Sequence, residues 1–162
     1  MSKSPLFTAI IVGVLSVSAA AVASPTTSAT VELGGSVDSS LALESSTSPN
    51  AELLDLSNGR QIVKVADLFM ITNNEQGLTL RASSGSLTKS GGTPIAFQVT
   101  TVDASASAPS SGSFEIESGI DYLVGTSSSG AVGKDLYIMY TPLALQDPGY
   151  YDGVINLTVT DN

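Results

Sequence analysis

Cysteine, histidine and tryptophan are all missing from the chain. Without cysteine there is no disulfide, no thiolate nucleophile and no thiolate metal site. Without histidine there is no imidazole base near neutral pH, and the commonest metal ligand is gone. Basic residues are scarce: six Lys and Arg stand against fifteen Asp and Glu, for a net charge of −9. A nucleic-acid surface needs a basic patch, and none can be assembled here. Aromatics make up only 6% of the residues, too few for an obvious sugar-stacking platform. Long apolar runs are also lacking, with one exception at the start. No other run approaches the ~18 residues that a membrane span requires.

The exception is "LFTAIIVGVLSVSAAAVA", Leu6 to Ala23, preceded by Lys3 and ending in "AVA". A positive n-region, an apolar core and an A-x-A end predict a cleaved secretory signal over 1–23. Gly13, Ser16 and Ser18 favour cleavage over a membrane anchor. The mature chain then begins near Ser24 and has the length of one domain. Exported small domains are commonly stapled by disulfides. This one has to rest on a hydrophobic core alone, which its length permits.

What is present is a series of short β-rich runs separated by Gly, Ser, Pro, Asn and Asp. "TSATVELGGSV" (Thr27 to Val37) alternates, with Ala29, Val31, Leu33, Gly35 and Val37 on one face. That is the period of a half-buried strand. "LALE" follows, then a Ser/Thr/Pro linker "SSTSPN", then "ELLDLS". "RQIVKVADLFMITNN" (Arg60 to Asn74) is the longest run. Its alternation slips around Ala66 and Asp67, which predicts a bulge or a break. β-Branched residues and the absence of a cap argue against a helix there. "NNEQG" is turn chemistry, "LTLRA" alternates, and "SSGSLTKSGGTP" reads as a polar loop. "IAFQVTTV" is a strand and "DASASAPSSGS" a low-complexity loop. "FEIE" and "YLVG" read as short strands, with "SSSGAVG" connecting to "DLYIMYT". After the turn "LQDPG", "YYDGVINLTVT" closes the chain with Tyr151, Gly153, Ile155, Leu157 and Val159 on one face. Seven or eight strands without a convincing helix predict an all-β, two-sheet, immunoglobulin-like sandwich. No internal repeat suggests a solenoid or propeller.

Motifs of catalysis fail one by one. "SLTK" (Ser86 to Lys89) has S-x-x-K form but lacks the helix start and the companion S-D-N and K-T-G elements. In "GTSSSGAVGKD" the order of Gly, Lys and hydroxyl is wrong for a phosphate loop. Glu115 and Glu117 lie two apart on a predicted strand, with Asp121 nearby, and read as a solvated face rather than a hydrolytic pair. Tyr150 and Tyr151 read as a core or sheet-edge pair. Asp147 and Asp152 belong to no calcium loop. "NLT" (Asn156 to Thr158) falls inside a predicted strand. No catalytic residue, metal site or cofactor is expected.

The two ends of the chain carry a stronger signal. "TVELGGSVDSSLALE" resembles the start of mature chaperone–usher fimbrial major pilins of the alpha class, the colonisation-factor type: alternating apolar residues, a Ser-Val-Asp element, a second alternating run. "GYYDGVINLTVT" is similar to their C-terminal strand, "ITNN" before an alternating strand also fits, and such pilins typically lack cysteine. Ser39 stands where they carry a proline after the Asp. The archaic spore-coat-like pilins are a neighbouring class, usually with cysteines.

The resemblance implies an incomplete immunoglobulin-like sandwich, missing one strand and completed by the donor strand of a neighbouring subunit. It divides the chain into a signal peptide (1–23), a donor extension (24–38) and a pilin domain (39–162). Donor positions are then Val31, Leu33, Gly35 and Val37. Ile155, Leu157 and Val159 line the core beside the acceptor groove, and the terminal carboxylate on Asn162 anchors a periplasmic chaperone. The implied partners are identical subunits in a head-to-tail polymer, the chaperone, an outer-membrane usher and a tip adhesin; the implied location is the fimbria at the cell surface. The alternative reading is a secreted monomeric sandwich that binds glycan or calcium, with its first strand in its own sheet.

Overall fold

The computed structural model describes residues 27–57 and 59–162. The leader expected over 1–23 lies outside the described residues. The chain divides into two units, Met1–Ser36 and Val37–Asn162.

The second unit is all-β, built of two antiparallel sheets. Among the described residues eight strands run in chain order: β1 Leu41–Thr47, β2 Gln61–Thr72, β3 Leu78–Ala82, β4 Gly85–Leu87, β5 Ile95–Asp103, β6 Tyr122–Gly125, β7 Gly130–Tyr140 and β8 Leu157–Asp161. The larger sheet has the order β1-β2-β7-β5-β4 and the smaller β6-β3-β8. Alternation decides which side chains turn inward. On β3, Leu78, Leu80 and Ala82 are fully buried while Arg81 between them is exposed. They share one core with Leu68 and Met70 of β2, Val99 of β5, and Leu136, Ile138 and Tyr140 of β7. Each large apolar side chain buried there is worth roughly 1.5–3 kcal/mol.

The slip expected in the longest run is real. Lys64 pairs with Tyr137 and Ala66 with Leu136, so Val65 is an extra residue, a bulge. Both Val65 and Ala66 are consequently buried.

Several expectations need correction. "SSTSPN" is not a linker: Ser45 to Thr47 continue β1, and Pro49–Glu52 form a 3-10 turn. The polar loop around Ser86 contains β4, because Ser86 and its neighbours pair with Phe97, Ala96 and Ile95 on β5. The connection before "DLYIMYT" is shorter than expected; Gly130 to Lys134 already belong to β7. "FEIE" is not a strand, so Glu115 and Glu117 share no strand face. The last strand is also shorter, since only Leu157–Asp161 pair with β3, while Asp152 makes a single bridge to Thr88.

The low-complexity segment turns out to be a pinned cover. It leaves β5 at Asp103, and the Ser105 N–H donates to the Asp135 carboxylate at 3.3 Å. Further on, Gln98 Nε2 donates to the carbonyls of Phe114 (3.2 Å) and Ile116 (2.7 Å). Phe114 is buried, as are Thr100, Asp135 and Tyr137 on the sheet face that carries these bonds. Buried Asp135 is matched by Lys64 at 3.0 Å, and the same ammonium reaches Asp67 at 2.7 Å.

Strand register assigns the loops to two ends. Thr72 pairs with Gly130 and Leu78 with Asp161, which gathers residues 38–40, 73–77, 126–129 and 161–162 at one end, called lower here. Gln61 pairs with Tyr140 and Leu87 with Ile95, which puts Leu53–Ser57, Arg60, Lys89–Pro94 and Thr141–Tyr151 at the other, upper end.

Candidate functional site

The seam between β1 and β8 is where the core is least covered. Among the described residues β8 closes one side of the small sheet and pairs only with β3, and β1 closes one side of the large sheet and pairs only with β2. The two strands lie side by side without a ladder between them. Inward residues along the seam are half-buried: Leu43 on β1, and Ile155, Leu157 and Val159 on or before β8. Their counterparts one strand further in, Leu78 and Leu80, are at 0% exposure. Apolar side chains that point at a core yet remain accessible mark an uncovered strip of it.

Main-chain geometry adds to this. The Ser83 N–H donates to the Asn156 carbonyl and the Asn162 N–H to the Gly77 carbonyl, so the even-numbered residues of β8 face β3. By the antiparallel alternation, Leu157, Val159 and Asp161 turn their N–H and C=O groups to the open side. Such a row is a template for a further strand.

Toward the upper end the seam widens into a cavity of about 290 Å³, lined by Val65, Phe97, Ile138, Val154, Ile155 and Leu157 among others. Gly153 sits on its wall. A Cβ there would lie 3.0 Å from Leu87 Cδ2 and 3.2 Å from the Ser86 carbonyl oxygen.

Residues 27–40 have no regular secondary structure. The alternation of "TSATVELGGSV" therefore has no sheet to express it in this chain. Val31, Leu33 and Val37 are 79%, 91% and 90% exposed. Gly35 has nothing within 4 Å of where a Cβ would stand. Of the tyrosine pair, Tyr151 is buried, with its hydroxyl accepting from Gln146 Nε2 at 2.8 Å, whereas Tyr150 is 81% exposed.

Asn162 is bound into the lower end by its side chain. Its Nδ2 donates to the carbonyls of Gln76 and Thr126, both at 2.9 Å, and its Oδ1 accepts from Thr79 Oγ1 at 2.6 Å. Its main-chain oxygen accepts from Asn74 Nδ2 at 2.8 Å. Beside it is an element that the sequence did not announce. The Asp161 carboxylate accepts from Ser39 Oγ and Thr72 Oγ1, both at 2.6 Å. Asn73 holds the other side of the junction, receiving the Ser40 N–H at 2.8 Å and donating to the Asp38 carbonyl at 2.9 Å. The hydroxyls of Ser39 and then Thr72 stabilise the ionised form and hold Asp161 below the usual carboxylate range. The one available hint was chemical: two asparagines in a turn and an aspartate at the end of an apolar strand.

Among the described residues no group of three or more carboxylates is placed to hold a metal ion. Compared with protein-family models and with curated proteins, the chain matches none.

Proposed function

We propose that this chain is the structural subunit of a surface fimbria, exported through the periplasm and polymerised by donor-strand exchange. In this reading the domain is an immunoglobulin-like sandwich short of one strand, and the seam between β1 and β8 is its acceptor groove. The observation that carries it is the pairing of two incomplete halves. β8 has an open edge over half-buried Leu157 and Val159, and residues 31–37 carry alternating apolar side chains, fully exposed and without a ladder.

The physics of the joint is β-strand addition. Ladder bonds to the open groups of β8 supply affinity, and alternate side chains enter the groove. Val31, Leu33 and Val37 contribute roughly 1.5–3 kcal/mol each on burial. Ordering the strand offsets part of this. Gly35 leaves a gap in that row, with no side chain to enter the groove.

Direction follows from steric reasoning. The extension leaves its own domain at the lower end, next to Asp161. A strand running antiparallel to β8 leaves the groove at the upper end, so lower end follows upper end along a growing row. The parallel alternative would crowd every lower end against the next. The contact is heterologous and does not close, which produces a filament. Identical subunits, a periplasmic chaperone that shields the groove and an outer-membrane usher are the partners this reading requires, with Asn162 at the chaperone's end of the groove.

Filaments purified from the surface should run as ladders of multimers in detergent without boiling. Val31→Asp combined with Leu33→Asp should leave a folded monomer and no ladder. Wild-type chain that is wholly monomeric, with residues 27–37 protected from protease, would identify a self-contained secreted module instead.

A further inference from the structure

The two ends of the domain differ in where their unpaired cations lie, in a way that the groove does not use. Five cations occur among the described residues. Three are neutralised within the domain: Lys64 by Asp67 and Asp135, Arg81 by Asp121, Lys134 by Asp103. The remaining two, Arg60 and Lys89, have no ion pair among the described residues, and both lie at the upper end.

Lys89 is seated there by a glycine. A Cβ on Gly149 would fall 2.5 Å from Lys89 Cε, so a larger residue there would displace that stem. Arg60 is exposed on the wall of a cavity of about 540 Å³ that also includes Leu143 and Gln146. Leu143 is shared with a neighbouring cavity of about 550 Å³ bounded by Leu145 and Gly149, which links the two cations across one surface. Around them stand exposed apolar side chains: Leu53, Leu143, Leu145 and Tyr150, at 84%, 54%, 93% and 81%. Acids stand at this end as well: Asp147 accepts the Thr93 N–H, Asp55 accepts from Ser57, and Glu117 lines the same cavity as Arg60 without an ion pair to it. Asp152 also lies close, bridged to Thr88, the residue before Lys89.

The lower end is the converse. Asp38 and Glu75 are exposed there and neither meets a cation; Asp161 is bound by hydroxyls only. The cations nearest it, Lys134 and Arg81, are taken by Asp103 and Asp121.

We propose that the upper end is a docking surface for the lower end of a second copy of this chain. Arg60 and Lys89 receive Asp38 and Glu75, and the leucines around them are covered in the joint. This rests on the donor-strand reading, which brings those two ends together. It adds a second contact, outside the groove, that fixes the angle between consecutive subunits. Opposite charges on facing surfaces set orientation more than affinity, and their effect fades with salt.

The test uses filaments of the full chain, with stiffness measured as persistence length in electron micrographs. Raising salt from about 0.05 M to about 0.5 M should soften wild-type filaments by roughly twofold or more as the charges are screened. Arg60→Glu with Lys89→Glu should keep the detergent-resistant ladder yet give soft filaments even at low salt. Adding Asp38→Lys and Glu75→Lys to that variant should restore stiffness. An intact ladder with unchanged stiffness in the doubly reversed variant, or no recovery on the four-way swap, overturns the end-to-end contact and leaves donor-strand exchange standing. Absence of any ladder in the wild type overturns both.

Discussion

The Ser39 hydroxyl and the Asp161 carboxylate meet at 2.6 Å across 122 residues of sequence. The bond ties the root of the extension to the last strand, and Thr72 joins it from β2. In the donor-strand reading, this is the fixed point from which the extension is aimed at the neighbour. A carboxylate serves better here than an amide because it accepts both hydroxyls at once.

Acid should loosen this junction. Asp161 is held below its ordinary value of 3.8, chiefly by Ser39 and then by Thr72. The folded state therefore binds the proton less readily than the unfolded one, so the contribution is complete above the ordinary value. It is lost as pH falls through the lowered one. Asp161→Asn should unfold at lower denaturant than wild type at neutral pH. The difference should shrink steadily as the pH is taken below the ordinary carboxylate range, as followed by urea melts.

Filling the cavity at Gly153 should separate folding from assembly. In Gly153→Val the new side chain meets Leu87 Cδ2 and the Ser86 carbonyl. An overpacking cost of about 1–3 kcal/mol is expected, smaller than the core provides. The domain should still melt cooperatively. If the seam is the acceptor groove, its ladder should be short or absent.

Tyr140 offers an alkaline counterpart to Asp161. Its hydroxyl donates to the Asp55 carbonyl at 3.2 Å, and burial pushes its pKa from 10.0 up to about 12. The folded state thus retains a proton that the unfolded chain has released. Stability is whole below the ordinary value and drains away as pH climbs from there toward about 12. Ultraviolet titration should show one tyrosine ionising late. Tyr140→Phe should remove that step and cost about 1 kcal/mol at neutral pH.

The β-rich character of the chain was legible because alternation and turn residues report directly on pleat and reversal. Ile95 to Val102 and Tyr122 to Gly125 fall in strands as read. What was misread shares a cause. Ser45 to Thr47, Gly85 to Leu87 and Gly130 to Gly133 are polar, small or glycine-bearing segments, and they become strands only because a neighbouring strand is there to pair with. The reverse holds for "FEIE", whose alternation was real but whose Phe114 is consumed in pinning a loop. At the candidate site, the apolar phase of residues 155–159 was visible in the sequence. The Ser39–Thr72–Asp161 junction was not, since three hydroxyl and carboxylate side chains far apart in sequence carry no periodic signature.

The extra residue in β2 has a consequence for how that strand tolerates change. Lys64 and Ala66 oppose consecutive residues of β7, so Val65 is supernumerary to the ladder. Gln61 and Val63 share the inward phase on one side of it; Leu68, Met70 and Thr72 share it on the other. Removing Val65 would leave an unbroken alternation in which every other side chain keeps its face. A deletion farther along, at Phe69 for example, would instead close the bulge by turning Asp67 inward and Leu68 to solvent. β2 thus behaves as two strands in opposite phase spliced at the bulge, and the bulge is where the strand can shed a residue without being rewritten.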